Sequence, residues 1–185
     1  MAERVSAGIE LAFDAETETR IRELWTRVEA EGVAPLASHT HAQHRPHLSV
    51  TVADWLDVTV VRDALAALPY PTGLPVDLRC VGLFPGGVLW LGPVVTEELL
   101  TLHHEIHRAL DRAGIVCWPY YRPGRWMPHC TLAMQVDDHL LGAAARLASD
   151  ALPISGQLVG MDLVRHTTDA AEYHPLSSVE PRHRP

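Results

Sequence analysis

Lysine is absent from this 185-residue chain; all 15 basic residues are arginine. Several function classes fall away with it. A phosphate-binding P-loop needs a lysine on the phosphates. Schiff-base chemistry needs a lysine amine, and a ligase that passes through a lysyl-adenylate needs the same group. Long hydrophobic runs are also missing. No stretch reaches the roughly 18 apolar residues that span a bilayer. No apolar core follows Met1-Ala2-Glu3-Arg4, so no signal peptide is expected. Cysteine is sparse. Cys80, Cys117 and Cys130 show no C-x-x-C spacing, which argues against a disulfide framework or a zinc knuckle and suits a reducing cytoplasm. Excess positive charge is lacking too. The formal net charge is −8, so a long polyanion is not gripped by net charge and phosphate recognition must be local.

What is present fits one soluble globular domain over 1–185, with 47% hydrophobic and 21% charged residues. Periodicity predicts strands over 8–13, 47–52, 74–84, 88–91, 129–134 and 157–165. It predicts helices over 15–31 and 57–68, from a Thr96 cap to 113, and over 137–151. Asp14 reads as an N-cap, Gly32 and Gly114 as helix stops, and Pro85-Gly86-Gly87 as a hairpin turn. Residues 33–45 form a polar, His-rich loop and 115–126 a loop of aromatics and arginines. The tail 167–185 lacks periodicity and is expected to be loose. Leu24, Trp25, Trp55, Leu99 and Leu110 are expected in the core. Strand, helix, strand, helix, strand occurs twice, over about 9–84 and 88–166. That order suggests a duplication about a pseudo-two-fold axis, with a central cleft.

Two matching segments occupy equivalent places in this repeat, Pro46-His47-Leu48-Ser49-Val50 and Pro128-His129-Cys130-Thr131-Leu132. In a strand, residues i and i+2 share a face, so each segment sets an imidazole beside a hydroxyl. Spacing alone says little. With 12 histidines and 19 serines and threonines, about one such match arises by chance. A third, His166-Thr167-Thr168, lacks the proline and the following apolar residue and is taken as that chance match. The bland alternative is a pair of partly buried histidines bonded within a sheet. The shared proline, the strand context and the repeat position weigh against it. Chemistry next to a phosphodiester needs one group to take a proton and another to give one, and imidazole suits both near neutral pH. Ser49 and Thr131 fit as donors to phosphoryl oxygens.

Two H-x-[ST] motifs 82 residues apart in a duplicated α/β chain resemble the 2H phosphoesterase superfamily, in its 2′-5′ RNA ligase and cyclic phosphodiesterase branch. The segments Trp126-Met127-Pro128-His129-Cys130-Thr131-Leu132-Ala133 and Phe84-Pro85-Gly86-Gly87-Val88-Leu89-Trp90-Leu91 carry the likeness furthest. The resemblance implies an α+β, bilobal fold of antiparallel-rich sheets with helices outside. It implies chemistry without metal, cofactor or ATP on 2′,3′-cyclic phosphates or 2′-5′ linkages at RNA or nucleotide ends. His47 and His129 would be the acid and base, with Ser49 and Thr131 binding phosphate; His129 activating water and His47 protonating the leaving oxygen is preferred, and the near symmetry leaves the reverse assignment open. Ser49 stands where threonine is commoner. A monomer with no membrane partner is expected. The alternative is a binding module that holds a nucleotide or RNA end without turnover.

Arg45, Tyr120, Arg125 and Trp126 are candidate substrate contacts, since aromatics can stack on bases and guanidinium can meet phosphate. Arg122 and Tyr121 are weaker candidates. The histidines at 39, 41, 44 and 47, and His103 with His107 at i, i+4, could suggest a metal, but no third ligand accompanies them. They are read as exposed histidines on a loop and a helix.

Overall fold

The computed structural model describes residues 6–40, 43–68, 72–166 and 170–176. The chain runs β1 (Ser6–Phe13), α1 (Ala15–Ala30), a 3-10 turn (Leu36–Thr40), β2 (His47–Ala53), α2 (Val58–Leu65), β3 (Leu74–Phe84), β4 (Val88–Pro93) and α3 (Glu97–Arg112). A second 3-10 turn (Pro119–Tyr121), β5 (Cys130–Ala133), α4 (Asp138–Asp150), β6 (Ile154–His166) and β7 (Ala171–Pro175) complete it.

Local chemistry explains the boundaries. The Asp14 carboxylate accepts the Thr17 N–H at 2.9 Å and opens α1, which a C-cap at Glu31 and Gly32 at φ +82° close. Asp57 and Thr96 cap α2 and α3 in the same way. One face of α1 buries Ile21, Leu24, Trp25 and Val28, each worth about 1.5–3 kcal/mol. Gly86 and Gly87 both take positive φ, which lets β3 fold back on β4.

The strands form one sheet in the order β2-β1-β6-β3-β4-β5, with every pairing antiparallel and β7 against the far end of β6. That order is a palindrome about the β6–β3 seam, so β2 answers to β5, β1 to β4 and β6 to β3. Each half of the chain lends its third strand to the other. β6 pairs β3 over 154–158 and β1 over 158–166, while β3 continues along β4. Helices cross over as well, α1 packing on α4 and α2 on α3. The outer strands β2 and β5 meet. The open edge of β2 is covered by the 115–126 loop, whose Trp118 N–H donates to the Val52 carbonyl at 2.7 Å.

The α+β, antiparallel expectation holds, with a single sheet in place of separate ones. Three readings need correction. The part of the tail at 171–175 is strand β7, stabilised by pairing with β6 and invisible to local periodicity. Trp55 is 60% exposed under the Arg165 guanidinium, 4.4 Å from its ring, while Leu24, Trp25, Leu99 and Leu110 are buried. The histidines read as exposed are not: His103 and His107 on the helix and His44 on the loop are all buried. No helix among the described residues is long and apolar enough to cross a membrane.

Candidate active site

His47 opens β2 and His129 immediately precedes β5, so the meeting of the two outer strands brings the histidines together. Their settings match. Nδ1 of His47 lies 2.7 Å from the Arg45 carbonyl, and Nδ1 of His129 lies 2.7 Å from the Met127 carbonyl. Each Nδ1–H therefore donates to the carbonyl two residues back, which fixes a tautomer with Nε2 bare in the neutral ring. The intervening proline accounts for this. Proline disfavours the helical region for the residue before it, here Arg45 and Met127, and extended backbone suits a carbonyl that meets the ring two residues on.

Around these matched rings the surroundings differ. Ser49 faces Glu10 across β1–β2, and Thr131 faces Trp90 across β4–β5. Glu10 is 3% exposed; its Oε2 lies 3.4 Å from His47 Nδ1 and its Oε1 lies 3.0 Å from His166 Nε2. Burial alone would raise its carboxyl, but His47, His166 and His44 outweigh this and hold it below the ordinary carboxylate value. His44 stacks on both His47 and His166, at 5.8 and 4.9 Å between ring centroids.

His129 instead meets the Phe84 edge at 4.8 Å and the Trp90 indole at 5.9 Å. Gly82 makes room for that indole, because a Cβ there would stand 2.0 Å from Trp90 Cζ2. Burial pushes the His129 imidazole below the ordinary histidine value; its bond to the Met127 carbonyl opposes this, and His47 nearby adds to it.

A cleft of about 640 Å³ opens beside His129, lined by Phe84, Tyr120, Tyr121, Arg125 and Trp126 among others. Tyr120 is 78% exposed in it. Trp126 is partly committed elsewhere: its indole N–H donates to the Ser49 carbonyl at 2.9 Å, and one face stacks on His103 at 4.0 Å. Arg45 lies away from this cleft, its guanidinium 4.3 Å over the Tyr173 ring. Arg122 is paired with Asp111. Residues His41 and Thr167 and the side chain of His39 lie outside the described residues, and no group of three possible metal ligands forms among the described ones.

Two site residues escape sequence reasoning. His166 looks like a chance match in sequence, yet it binds Glu10. Glu10 itself carries a signal, a lone carboxylate between Ile9 and Leu11 in an apolar strand, which must be paired if buried.

LigT of E. coli, in complex with 3′-AMP, has the same fold at a TM-score of 0.64 and 17% identity, over 95% of this chain and 96% of that one. The Thermus thermophilus protein TT0787 follows at 0.57 and 19%, over 93% and 95%. No curated protein sequence matches the chain. The family model of the 2′-5′ RNA ligase superfamily matches residues 13–170, both histidine motifs included, and the chain belongs to that superfamily, a branch of the 2H phosphoesterases.

Proposed function

We propose that the protein is a phosphoesterase of RNA or nucleotide ends, which opens 2′,3′-cyclic phosphates and, by reversing the same proton transfers, forms or breaks 2′-5′ linkages without ATP. The matched pair of imidazoles carries this reading, each with Nδ1 bound to a carbonyl and Nε2 left for chemistry. A neutral Nε2 takes a proton from the attacking water. A protonated Nε2–H gives one to the departing ribose oxygen. Those two transfers meet the proton demands of the reaction without a cofactor. Ser49 and Thr131 donate to the non-bridging oxygens as charge builds on them. Tyr120, Trp126 and Arg125 in the cleft receive the base and flanking phosphate. LigT structures with 3′-AMP and with phosphate agree with a ligand of this class. The free thiols of Cys80, Cys117 and Cys130 suit a cytoplasmic location.

The test is turnover of 2′,3′-cyclic nucleotides and short cyclic-ended RNA in EDTA. Activity is expected to persist, and His47→Ala and His129→Ala are each expected to lower kcat by about 10²–10⁴-fold. Ser49→Ala and Thr131→Val should cost about 10²–10³-fold. Undiminished turnover in both histidine variants would refute the two-histidine mechanism. Tight binding of these ligands with no turnover would identify a binding module.

A further inference from the structure

The strand register gives the two-fold site a built-in asymmetry. Glu10 is the cross-strand partner of Ser49, and Trp90 is the cross-strand partner of Thr131. Under the palindromic strand order these are the same position in the two lobes. One lobe places a buried carboxylate against its catalytic histidine, and the other places an indole. Elsewhere the immediate settings agree: a proline before each ring, a carbonyl on each Nδ1 and a hydroxyl two residues on.

Resting on the function proposed above, we propose that Glu10 is a positioning residue that sets the polarity of the reaction: its carboxylate stabilises the imidazolium of His47, making His47 the acid, while the Trp90 and Phe84 rings leave His129 as the neutral base. Water attacks phosphorus and its proton passes to His129 Nε2. The bond from phosphorus to the ribose oxygen breaks, its electron pair leaves with that oxygen, and the proton on His47 Nε2 goes to it. Glu10 acts through its field, since the His47 Nδ1–H is already donated to Arg45 and the carboxylate stands 3.4 Å off. An opposite charge at this separation favours the charged form.

Other ionisable groups face this carboxylate. His166 and Asp162 do so from β6, and His44 from the approach to β2, while Arg45 faces Asp162. His44 and His166 share the negative charge with His47, and Asp162, across from Glu10, is kept above the ordinary carboxylate value by burial. Tyr173 of β7, Tyr121 and the Cys130 thiol complete the surroundings. Burial is the main reason all three are raised, to about 12 for Tyr173 and for Cys130, so they stay uncharged at neutral pH. Glu10 is the carboxylate that lies directly against His47, and the matching position beside His129 holds the Trp90 indole.

The experiment is the pH profile of kcat/KM on a 2′,3′-cyclic nucleotide for the native protein, Glu10→Gln and Glu10→Asp. In Glu10→Gln the alkaline limb, which reports loss of the acid's proton, should move about one pH unit lower, with the acid limb unmoved. Glu10→Asp keeps the charge and should fall between. An unmoved alkaline limb, a parallel shift of both limbs, or identical behaviour of the two variants would overturn the proposal. If Glu10→Gln fails to fold, judged by circular dichroism, Glu10→Asp still carries the test through a smaller shift in the same direction. Absence of native turnover would refute the proposed function instead. Imidazole 15N NMR then reads the polarity without substrate: His47 should keep its proton to higher pH than His129, and the opposite order would overturn the proposal.

Discussion

Pro46 and Pro128 each do one local job, holding the carbonyl that fixes the next ring. Replacing Pro128 by alanine frees Met127 to leave the extended region, and the His129 ring can then turn away. The expected outcome is a fall in kcat of about 10- to 100-fold with little change in KM, because the cleft that binds the rest of the ligand is untouched. Steady-state kinetics with a cyclic nucleotide checks this. Phe84 acts on the same ring differently. In the proposed role of base, His129 works in its neutral form, and burial holds its value below 6.5. The acid limb of kcat/KM should therefore lie below pH 6.5, with activity retained in mildly acidic buffer. Phe84→Ala admits water beside the ring and relieves the burial, so the limb should rise towards 6.5. A limb that stays in place would show that the Phe84 wall does not tune the base.

At the scale of elements, α3 and the 115–126 loop carry a device that is only half legible in the sequence. The helix itself follows from its periodicity, and the buried stripe Leu99, His103, Ile106, His107, Leu110 keeps helical spacing throughout. Its two histidines read as exposed because imidazole is polar. The structure gives each a backbone partner: His103 Nε2 lies 2.8 Å from the Tyr121 carbonyl and His107 Nε2 lies 3.3 Å from the Val50 carbonyl. Such partners exist only once β2 and the loop have packed against α3, so no local pattern announces them. The docking has a pH cost. Burial lowers His103 to about 4 from 6.5, so between these values the unfolded chain binds a proton that the native state refuses. Stability from this group is complete above about pH 6.5 and is lost as pH falls towards 4, by at most roughly 3 kcal/mol. His103→Phe keeps a ring on Trp126 but removes the titration. Urea unfolding at pH 7 and pH 5 should show the native protein losing about 2 kcal/mol more than this variant. Equal losses would place the pH sensitivity elsewhere.

At the scale of the whole molecule, the duplication is readable because the order of elements repeats and each repeat holds one His-hydroxyl pair. The exchange of third strands is not readable, since β6 finds β1, and β3 finds β4, through edges chosen by the tertiary structure. The equivalence of Glu10 and Trp90 depends on that register and is hidden with it. The exchange has a thermodynamic consequence. Neither half can close its sheet alone, because the seam pairs Leu78 with Ile154 and Leu74 with Leu158 across the two-fold axis. Leu78, Ile154 and Leu158 are all essentially inaccessible to solvent. Leu78→Ala should cost about 2–5 kcal/mol, and that loss belongs to both lobes at once. Tryptophan fluorescence, with Trp25 in one half and Trp90 and Trp126 in the other, far-ultraviolet circular dichroism and turnover should all be lost in one coincident transition, at a midpoint lowered equally for every probe. Leu24→Ala in α1 and Leu110→Ala in α3, buried in opposite halves, should likewise shift the whole curve. A biphasic curve in which Leu24→Ala moves only one phase would mean that the halves unfold separately and that the strand exchange does not couple them.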